Sequence, residues 1–141
     1  MRVVCQQPGY FPWLGYFEQI AAADAFVFLD DVQWIRQGRQ HRTRLPAHAS
    51  SGGDKQWLTV PVLGQGHREK TFLEMELDQS RAWPRHHWAT LQSLYGRAPH
   101  FKSQLEPIVR PFLEEQAPKF RRLVDLCEAS ISLLWEPLRL E

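Results

Sequence analysis

Residues 2–33, RVVCQQPGYFPWLGYFEQIAAADAFVFLDDVQ, decide the fold of this chain of 141 residues. The apolar run 2–5 is typical of a strand, and the prolines and glycine of 6–12 predict a turn. Apolar residues at helical spacing then predict a helix over 13–23, and a second apolar run predicts a strand over 25–29. This order predicts two parallel strands joined by a right-handed crossover, and hence an α/β fold.

Polar residues follow both predicted strands. Gln6 and Gln7 begin the segment after the first strand, and Asp30, Asp31 and Gln33 follow the second. Neighbouring parallel strands end at the same edge of their sheet, and ligands bind at that edge in open α/β sheets. The sequence therefore predicts a polar site in which these side chains surround one hollow.

The rest of the chain predicts mixed strands followed by C-terminal helices, in a single α/β domain that spans residues 1–141. Strands are expected at 38–45, 56–62 and 71–77, with a loop or hairpin tip at 49–54. Helices are expected over 80–95, from a capping box at 103–106, and over 118–134. Ser80 should cap the first of these helices, and Gly96 should end it in the left-handed conformation.

Composition and charge argue against several classes of protein. Hydrophobic residues make up 43% of the chain and charged residues 23%, as in globular domains, and the net charge of +1 gives no pull toward nucleic acid or anionic lipid. No segment approaches the roughly 20 apolar residues of a membrane span, and the N-terminus lacks the apolar core of a secretion signal. We therefore expect a cytoplasmic protein without a nucleic-acid or membrane partner.

Cys5 and Cys127 should be reduced and buried, because they lack disulfide or metal-ligand spacing.

The stretch 36–44 contains four arginines and supplies the candidate anion ligands. In an extended segment, Arg42 and Arg44 point to the same side as Gln40. Two guanidinium groups on one side match the oxygens of a diphosphate, as in a nucleotide-activated sugar. The alternative is a solvated strand edge whose charges prevent aggregation.

Asp30, Asp31 and His87 are the candidate catalytic residues. Either carboxylate could act as a general base toward an amine, and His87 could exchange a proton near neutral pH. The alternatives are turn acids that cap the next segment and a helical histidine with a structural hydrogen bond. The carboxylates could also bind Mg²⁺ with substrate phosphates, but no other pattern supports a metal site, so we predict no cofactor.

Gln7 and Tyr10 are the candidate sugar contacts. An amide donates and accepts hydrogen bonds, as recognition of a sugar hydroxyl requires, and a ring such as that of Tyr10 or Trp13 can stack on a sugar face. The alternatives are a glutamine that caps local backbone groups and aromatic rings that are packed in the core. The full set of predicted ligand-binding residues is Gln6, Gln7, Tyr10, Gln33, Gln40, Arg42 and Arg44.

Two of these stretches resemble the opening signature of the WbqC-like family: QPGYFPWLGYF at 7–17 and ADAFVFLDDVQ at 23–33. Three further blocks follow at the spacing of the family. They are RQHRTR at 39–44, WLTVPV at 57–62, and a block from Trp83 through His87 and Tyr95 to APHF at 98–101. The chain departs from the family in the arginine block: the family usually has a tryptophan where this chain has Arg39, and asparagines where it has His41 and Thr43.

The resemblance implies a function in polysaccharide and O-antigen biosynthesis. Members of the family resemble transferases that modify an amino sugar by forming an amide with an amino acid or acyl group. With the arginines, this predicts a nucleotide-linked amino sugar or another phosphorylated small molecule as the ligand. Family members usually continue beyond the end of this chain, so the alternatives are a non-catalytic ligand-binding module or a truncated, inactive member, and a homodimer could replace the missing packing.

Overall fold

The computed structural model of the protein describes residues 1–46, 55–64 and 69–138. Strand β1 (Val3–Gln6), helix α1 (Leu14–Ala21) and strand β2 (Ala25–Phe28) follow one another as predicted. β1 and β2 are parallel, and the last pair in their register is Gln6 beside Phe28. Both strands therefore end at one edge, which confirms the predicted α/β start of the fold.

Strands β3 (Arg42–Leu45) and β4 (Gln56–Thr59) form a separate antiparallel pair, in which Arg44 lies opposite Trp57. Both strands fall inside predicted stretches, whereas the expected hairpin tip at 49–54 lies outside the described residues. Each of the two sheets in the described part of the chain has two strands. One edge of β3 is therefore unpaired there.

The predicted strand over 71–77 is wrong, because a short 3₁₀ turn, Phe72–Glu74, takes its place. Thr71 and Glu74 form a capping box, in which the Thr71 backbone N–H donates to Glu74 Oε2 over 2.8 Å. The turn puts Phe72 and Met75 into the core together. The three-residue spacing of the turn, and not the alternation of a strand, therefore decides which side chains are buried.

Helices α2 (Trp83–Tyr95), α3 (Glu106–Pro111) and α4 (Leu123–Trp135) confirm the helical C-terminal part. The predicted helix ends are wrong in detail. The Ser80 hydroxyl donates to Asp78 and does not cap α2, and Gly96 has a right-handed φ of −58°. The expected capping box at 103–106 is absent, because a π-helical turn, Phe101–Leu105, continues directly into α3. Residue 118 lies in a 3₁₀ turn, Ala117–Lys119, and α4 begins later.

The main core packs Tyr10 and Trp34 against apolar residues of β4, α2, α3 and α4. A smaller cluster joins Tyr16 and Phe17 of α1 to Ile131 of α4. Leu14 of α1 belongs to neither cluster, because its side chain is 70% exposed. The segment between β1 and α1 is thus fixed by Tyr10 from the main core and by Tyr16 and Phe17 from the smaller one.

One face of the β1–β2 sheet is open to solvent. Val3, Cys5, Ala25 and Val27 are exposed on it, whereas the alternate residues of both strands are half-buried. The predicted burial of Cys5 is therefore wrong; Cys127 is buried as expected, and both thiols are free. No helix in the described ranges combines the length and the apolar character needed to cross a membrane.

Candidate ligand-binding site

A hollow of about 300 Å³ opens beside the carboxyl end of β1. Residues 6–13 and Tyr16 form one wall; residues 39–40 and 42–44 form the other, with Trp57 of β4 beside them. We call it the basic hollow, because three arginines line its second wall. Its volume lies at the lower end of the range of about 300–1,000 Å³ that is usual for small-molecule pockets.

Backbone hydrogen bonds fix the two walls against each other. The Tyr10 N–H donates to the Gln40 carbonyl oxygen over 2.8 Å, and the Cys127 thiol donates to the same oxygen over 3.3 Å. The Leu29 N–H donates to the Gln6 carbonyl oxygen over 2.9 Å, which fixes the start of the first wall to the end of β2. These hydrogen bonds therefore hold the two walls of the basic hollow in place without a ligand.

Phe11 lies in the first wall with a φ of 43°, in the left-handed region that non-glycine residues rarely adopt. It also precedes Pro12, which further restricts its backbone. Its N–H donates to Ser130 Oγ over 3.1 Å, and its ring packs on Tyr10 and Phe112 with centroids 4.7 and 5.7 Å apart. Such backbone strain, of about 1–3 kcal/mol, concentrates at functional sites and persists only where the surroundings hold it in place.

Amide side chains connect the walls at their polar end. Gln40 Nε2 donates to Gln7 Oε1 across the basic hollow, and Gln6 Nε2 donates to Gln19 Oε1 over 3.0 Å. The Oε1 atom of Gln40 is buried and has no hydrogen-bond donor among the described residues. A buried acceptor without a donor costs free energy.

The arginines of the second wall carry charge that the described part of the chain does not neutralise. The Arg42 guanidinium lies 4.8 Å from the centroid of the Trp57 ring and donates from Nη2 to the Gln37 carbonyl oxygen over 2.9 Å. No carboxylate in the described ranges forms an ion pair with Arg39, Arg42 or Arg44. Arginine side chains without a partner carboxylate attract anions to a hollow. One guanidinium group can donate two parallel hydrogen bonds to the oxygens of a phosphate.

The structure brings together only part of the predicted site. Six of the predicted ligand-binding residues line the basic hollow: Gln6, Gln7, Tyr10, Gln40, Arg42 and Arg44. Asp30, Asp31, Gln33 and His87 are not among the described residues that line it. The predicted convergence is therefore wrong for Asp30, Asp31 and Gln33, although the edge shared by β1 and β2 is as expected. The roles of these residues and of His87 stay predictions.

Asp30 does not line the basic hollow. Its backbone carbonyl accepts the Leu73 N–H over 2.8 Å. Burial raises the pKa of Glu128 on α4, and the charges of Asp30 and Asp125 raise it further. Asp31 is exposed. No group of three or more His, Cys, Asp or Glu side chains in the described ranges is placed to hold a metal ion.

His87 and Tyr10 form a buried pair behind the first wall. The Tyr10 hydroxyl lies 2.9 Å from His87 Nδ1, and His87 Nε2 lies 3.2 Å from the Thr59 carbonyl oxygen. Because that carbonyl can only accept, Nε2 carries the hydrogen and Nδ1 accepts the hydroxyl of Tyr10. Burial lowers the pKa of His87 to about 4, so the ring is neutral near pH 7. A catalytic role of His87 stays a prediction, and this placement favours the alternative of a structural hydrogen bond.

The aromatic rings available to a ligand are those of two tryptophans. Tyr10 is 1% exposed, so a ligand cannot stack on its ring, whereas Trp13 is 68% and Trp57 37% exposed. Both tryptophans line the basic hollow. Trp57 is not among the predicted site residues, although its place beside Leu58 in an alternating strand could have indicated an outward ring near the arginines.

Comparisons with known proteins assign the family. The WbqC-like protein family matches residues 7–141. The uncharacterized protein Rv1507c of Mycobacterium tuberculosis (strain ATCC 25618 / H37Rv) is 35% identical over 115 residues, which are 82% of this chain and 48% of that protein. The chain thus spans about half the length of this curated relative. No solved structure matches the chain. On the family match over residues 7–141, this chain belongs to the WbqC-like protein family.

Proposed function

We propose that the basic hollow binds the phosphorylated part of a nucleotide-linked amino sugar, and that the protein acts as a transferase in polysaccharide or O-antigen biosynthesis. The observation that carries this proposal is the set of arginines, Arg39, Arg42 and Arg44, none of which pairs with a carboxylate in the described ranges. The family to which the chain belongs supports the same class of substrate.

Each group around the basic hollow has a counterpart in such a ligand. The arginines match the oxygens of a diphosphate, which accept paired hydrogen bonds from guanidinium groups. The amides of Gln7 and Gln40 can donate to and accept from sugar hydroxyl or amine groups. The exposed rings of Trp13 and Trp57 can stack on a sugar face or on a base.

The reaction proposed for this ligand is the formation of an amide. The amine nitrogen of the sugar attacks the carbonyl carbon of an activated acyl or aminoacyl donor. A carbon–nitrogen bond forms, the bond between that carbon and the leaving group breaks, and a base takes one proton from the amine. Asp30, Asp31 and His87 remain the predicted acid–base residues, and none of them lines the basic hollow.

A ligand-binding module without catalysis is the second candidate function. One observation favours it: the binding residues converge, while the predicted catalytic residues lie elsewhere in the described structure. Both candidates require the same ligand and differ in turnover alone.

Calorimetric titration tests the shared part of the proposal. The ligands are UDP-linked and thymidine diphosphate-linked amino sugars, the free nucleoside diphosphates, and the free amino sugars. We expect binding that Arg44→Gln weakens about tenfold or more, since it removes a charged hydrogen-bond donor. Arg121→Gln is the matched control, because Arg121 is exposed, pairs with Glu76 and does not line the basic hollow.

The outcomes separate the candidates. Folded protein that binds none of these ligands contradicts both. Binding together with amide formation, followed by mass spectrometry with an acyl or aminoacyl donor, supports the transferase. Binding without product from any donor supports the module.

A further inference from the structure

A second hollow, of about 250 Å³, adjoins the basic hollow. We call it the apolar hollow, because outside the residues that it shares with the basic hollow it is lined by hydrocarbon side chains alone. They come from β3, β4, α2, the π-helical turn, α3 and α4: Leu45, Leu58, Leu91, Leu105, Val109 and Leu134. Six separate elements thus converge on a space that none of them fills.

The two hollows form one cleft. Phe11, Pro12 and Trp13 of the first wall line both hollows, and so do Thr43 and Arg44 of the second wall. The cleft therefore runs along β3, from the amides of Gln7 and Gln40 at its basic end to Leu45 at its apolar end.

The character of the cleft changes along β3: Arg42 lines only the basic hollow, and Leu45 lines only the apolar one. Successive strand residues point to opposite faces, so Arg42 and Arg44 lie on one face, and Thr43 and Leu45 lie on the other. Arg44 is paired with Trp57, beside the basic hollow, whereas Thr43 is paired with the buried Leu58.

The apolar hollow lies partly at the surface, because two exposed residues, Trp13 and Arg44, are in its lining. An apolar cavity of about 150 Å³ in another protein already accommodates benzene. A space of about 250 Å³ therefore takes a larger apolar group, such as a short hydrocarbon chain.

From this continuity we infer that the ligand is amphipathic: a phosphate ester that carries an alkyl or acyl chain. The phosphate lies at Arg42 and Arg44, and the chain passes Trp13 into the apolar hollow. The phosphate end of this inference rests on the proposed function. The apolar end rests on the second hollow, which the proposed function does not use.

Chain length is the variable that tests the inference. Inorganic phosphate, methyl, butyl and hexyl phosphate, and hexanol are titrated into the protein by calorimetry. We expect the affinity to rise with chain length, by up to about fourfold for each methylene that is buried, and hexyl phosphate to bind at least about tenfold more tightly than methyl phosphate. Hexanol should bind more weakly than hexyl phosphate, since it lacks the anion.

Two variants locate the chain. Leu134→Trp and Leu45→Phe each add volume at half-buried positions of the apolar hollow. Either one should abolish the gain from methyl to hexyl phosphate and leave the affinity for inorganic phosphate unchanged within about twofold. Thermal unfolding shows which variants are folded, and one folded variant suffices.

The outcomes distinguish this inference from the proposed function. Two results overturn the inference and leave the proposed function intact. One is an affinity that does not change with chain length. The other is a folded Leu134→Trp or Leu45→Phe variant that still binds hexyl phosphate more tightly than methyl phosphate. Hexanol that binds as tightly as hexyl phosphate also overturns it, because the two ends then act separately. If no phosphate compound binds, the inference fails, and the titrations with nucleotide-linked amino sugars decide the proposed function separately.

Discussion

The hydroxyl of Tyr10 donates a hydrogen bond to Nδ1 of His87 over 2.9 Å, between residues that are 77 positions apart in the sequence. His87 in turn donates from Nε2 to the Thr59 carbonyl oxygen over 3.2 Å. This chain of hydrogen bonds joins the first wall of the basic hollow to α2 and to the end of β4. The pair therefore supports the site from behind, where no ligand reaches it.

Removal of the Tyr10 hydroxyl should destabilise the protein. In Tyr10→Phe the Nδ1 atom of His87 stays buried without a donor, and we expect the free energy of unfolding to fall by ~1–2 kcal/mol in urea titrations. Tyr95→Phe is the control, since the Tyr95 hydroxyl donates to the Pro46 carbonyl at an exposed position. If the free energy of unfolding falls equally in both variants, the buried hydrogen bond of Tyr10 stabilises the protein no more than the exposed one of Tyr95.

The stability of the protein should fall in mild acid. Burial lowers the pKa of His87 from 6.5 to about 4, and burial with the charge of Arg42 lowers that of His41 to about 4. The unfolded chain therefore binds protons more readily than the folded one. The stability that the protein gains from keeping these two histidines neutral is fully present above about pH 6.5 and is lost as the pH falls toward 4.

Urea unfolding at a series of pH values measures this dependence. His87→Gln should be less stable than the wild type at pH 7.5 and should show a shallower decline between pH 6.5 and 4.5. An unchanged slope in a folded His87→Gln variant would contradict the assignment of a neutral, buried imidazole.

Gly15 controls the position of Trp13. A Cβ atom at Gly15 would lie 1.9 Å from Cζ3 of the Trp13 ring, so Gly15→Ala forces the indole to move. We expect an affinity for the amino-sugar nucleotide that is about threefold to tenfold lower, because a stacking ring is displaced. The free energy of unfolding should stay constant or rise by ~0.5 kcal/mol, because alanine favours the helix over glycine.

Trp13→Ala is the matched variant for this prediction. It should lower the affinity to a similar extent without any gain in stability. Full affinity in both variants would exclude Trp13 from the ligand contacts.

The open face of the β1–β2 sheet predicts self-association. Parallel sheets are usually covered on both faces, and two copies can cover each other through a twofold axis because each carries the same apolar surface. Light scattering should show a dimer, and Val27→Lys should convert it to a monomer. Ile35→Lys is the control, since Ile35 is 58% exposed outside this face. A monomeric wild type would contradict the prediction.

Local patterns predicted the first part of the fold correctly. The β1–α1–β2 unit is encoded within residues 2–33, where each element lies next to its partner in sequence. The strand expected at 71–77 failed because the capping box of Thr71 and Glu74 outweighs the alternation of the same residues.

The site was predicted in part. Amide and guanidinium groups can be recognised as candidate ligand contacts without knowledge of the fold, and the structure brings those of Gln7, Gln40, Arg42 and Arg44 to one hollow. The Asp30 carbonyl accepts a hydrogen bond from the distant Leu73 N–H, and the apolar hollow depends on residues from Phe11 to Leu134. Such convergence is set by tertiary packing, which no short pattern in the sequence records.

The most direct test of the central claim is an NMR titration of the folded protein with a UDP-linked amino sugar. The side-chain amides of Gln7 and Gln40, the Nε–H groups of Arg42 and Arg44, and the indoles of the tryptophans report on separate places. We predict saturable shifts at the amides, the arginines, Trp13 and Trp57, with the buried Trp34 and Trp88 nearly unchanged. Shifts confined to residues outside the basic hollow, or no shifts at millimolar ligand, would contradict the claim.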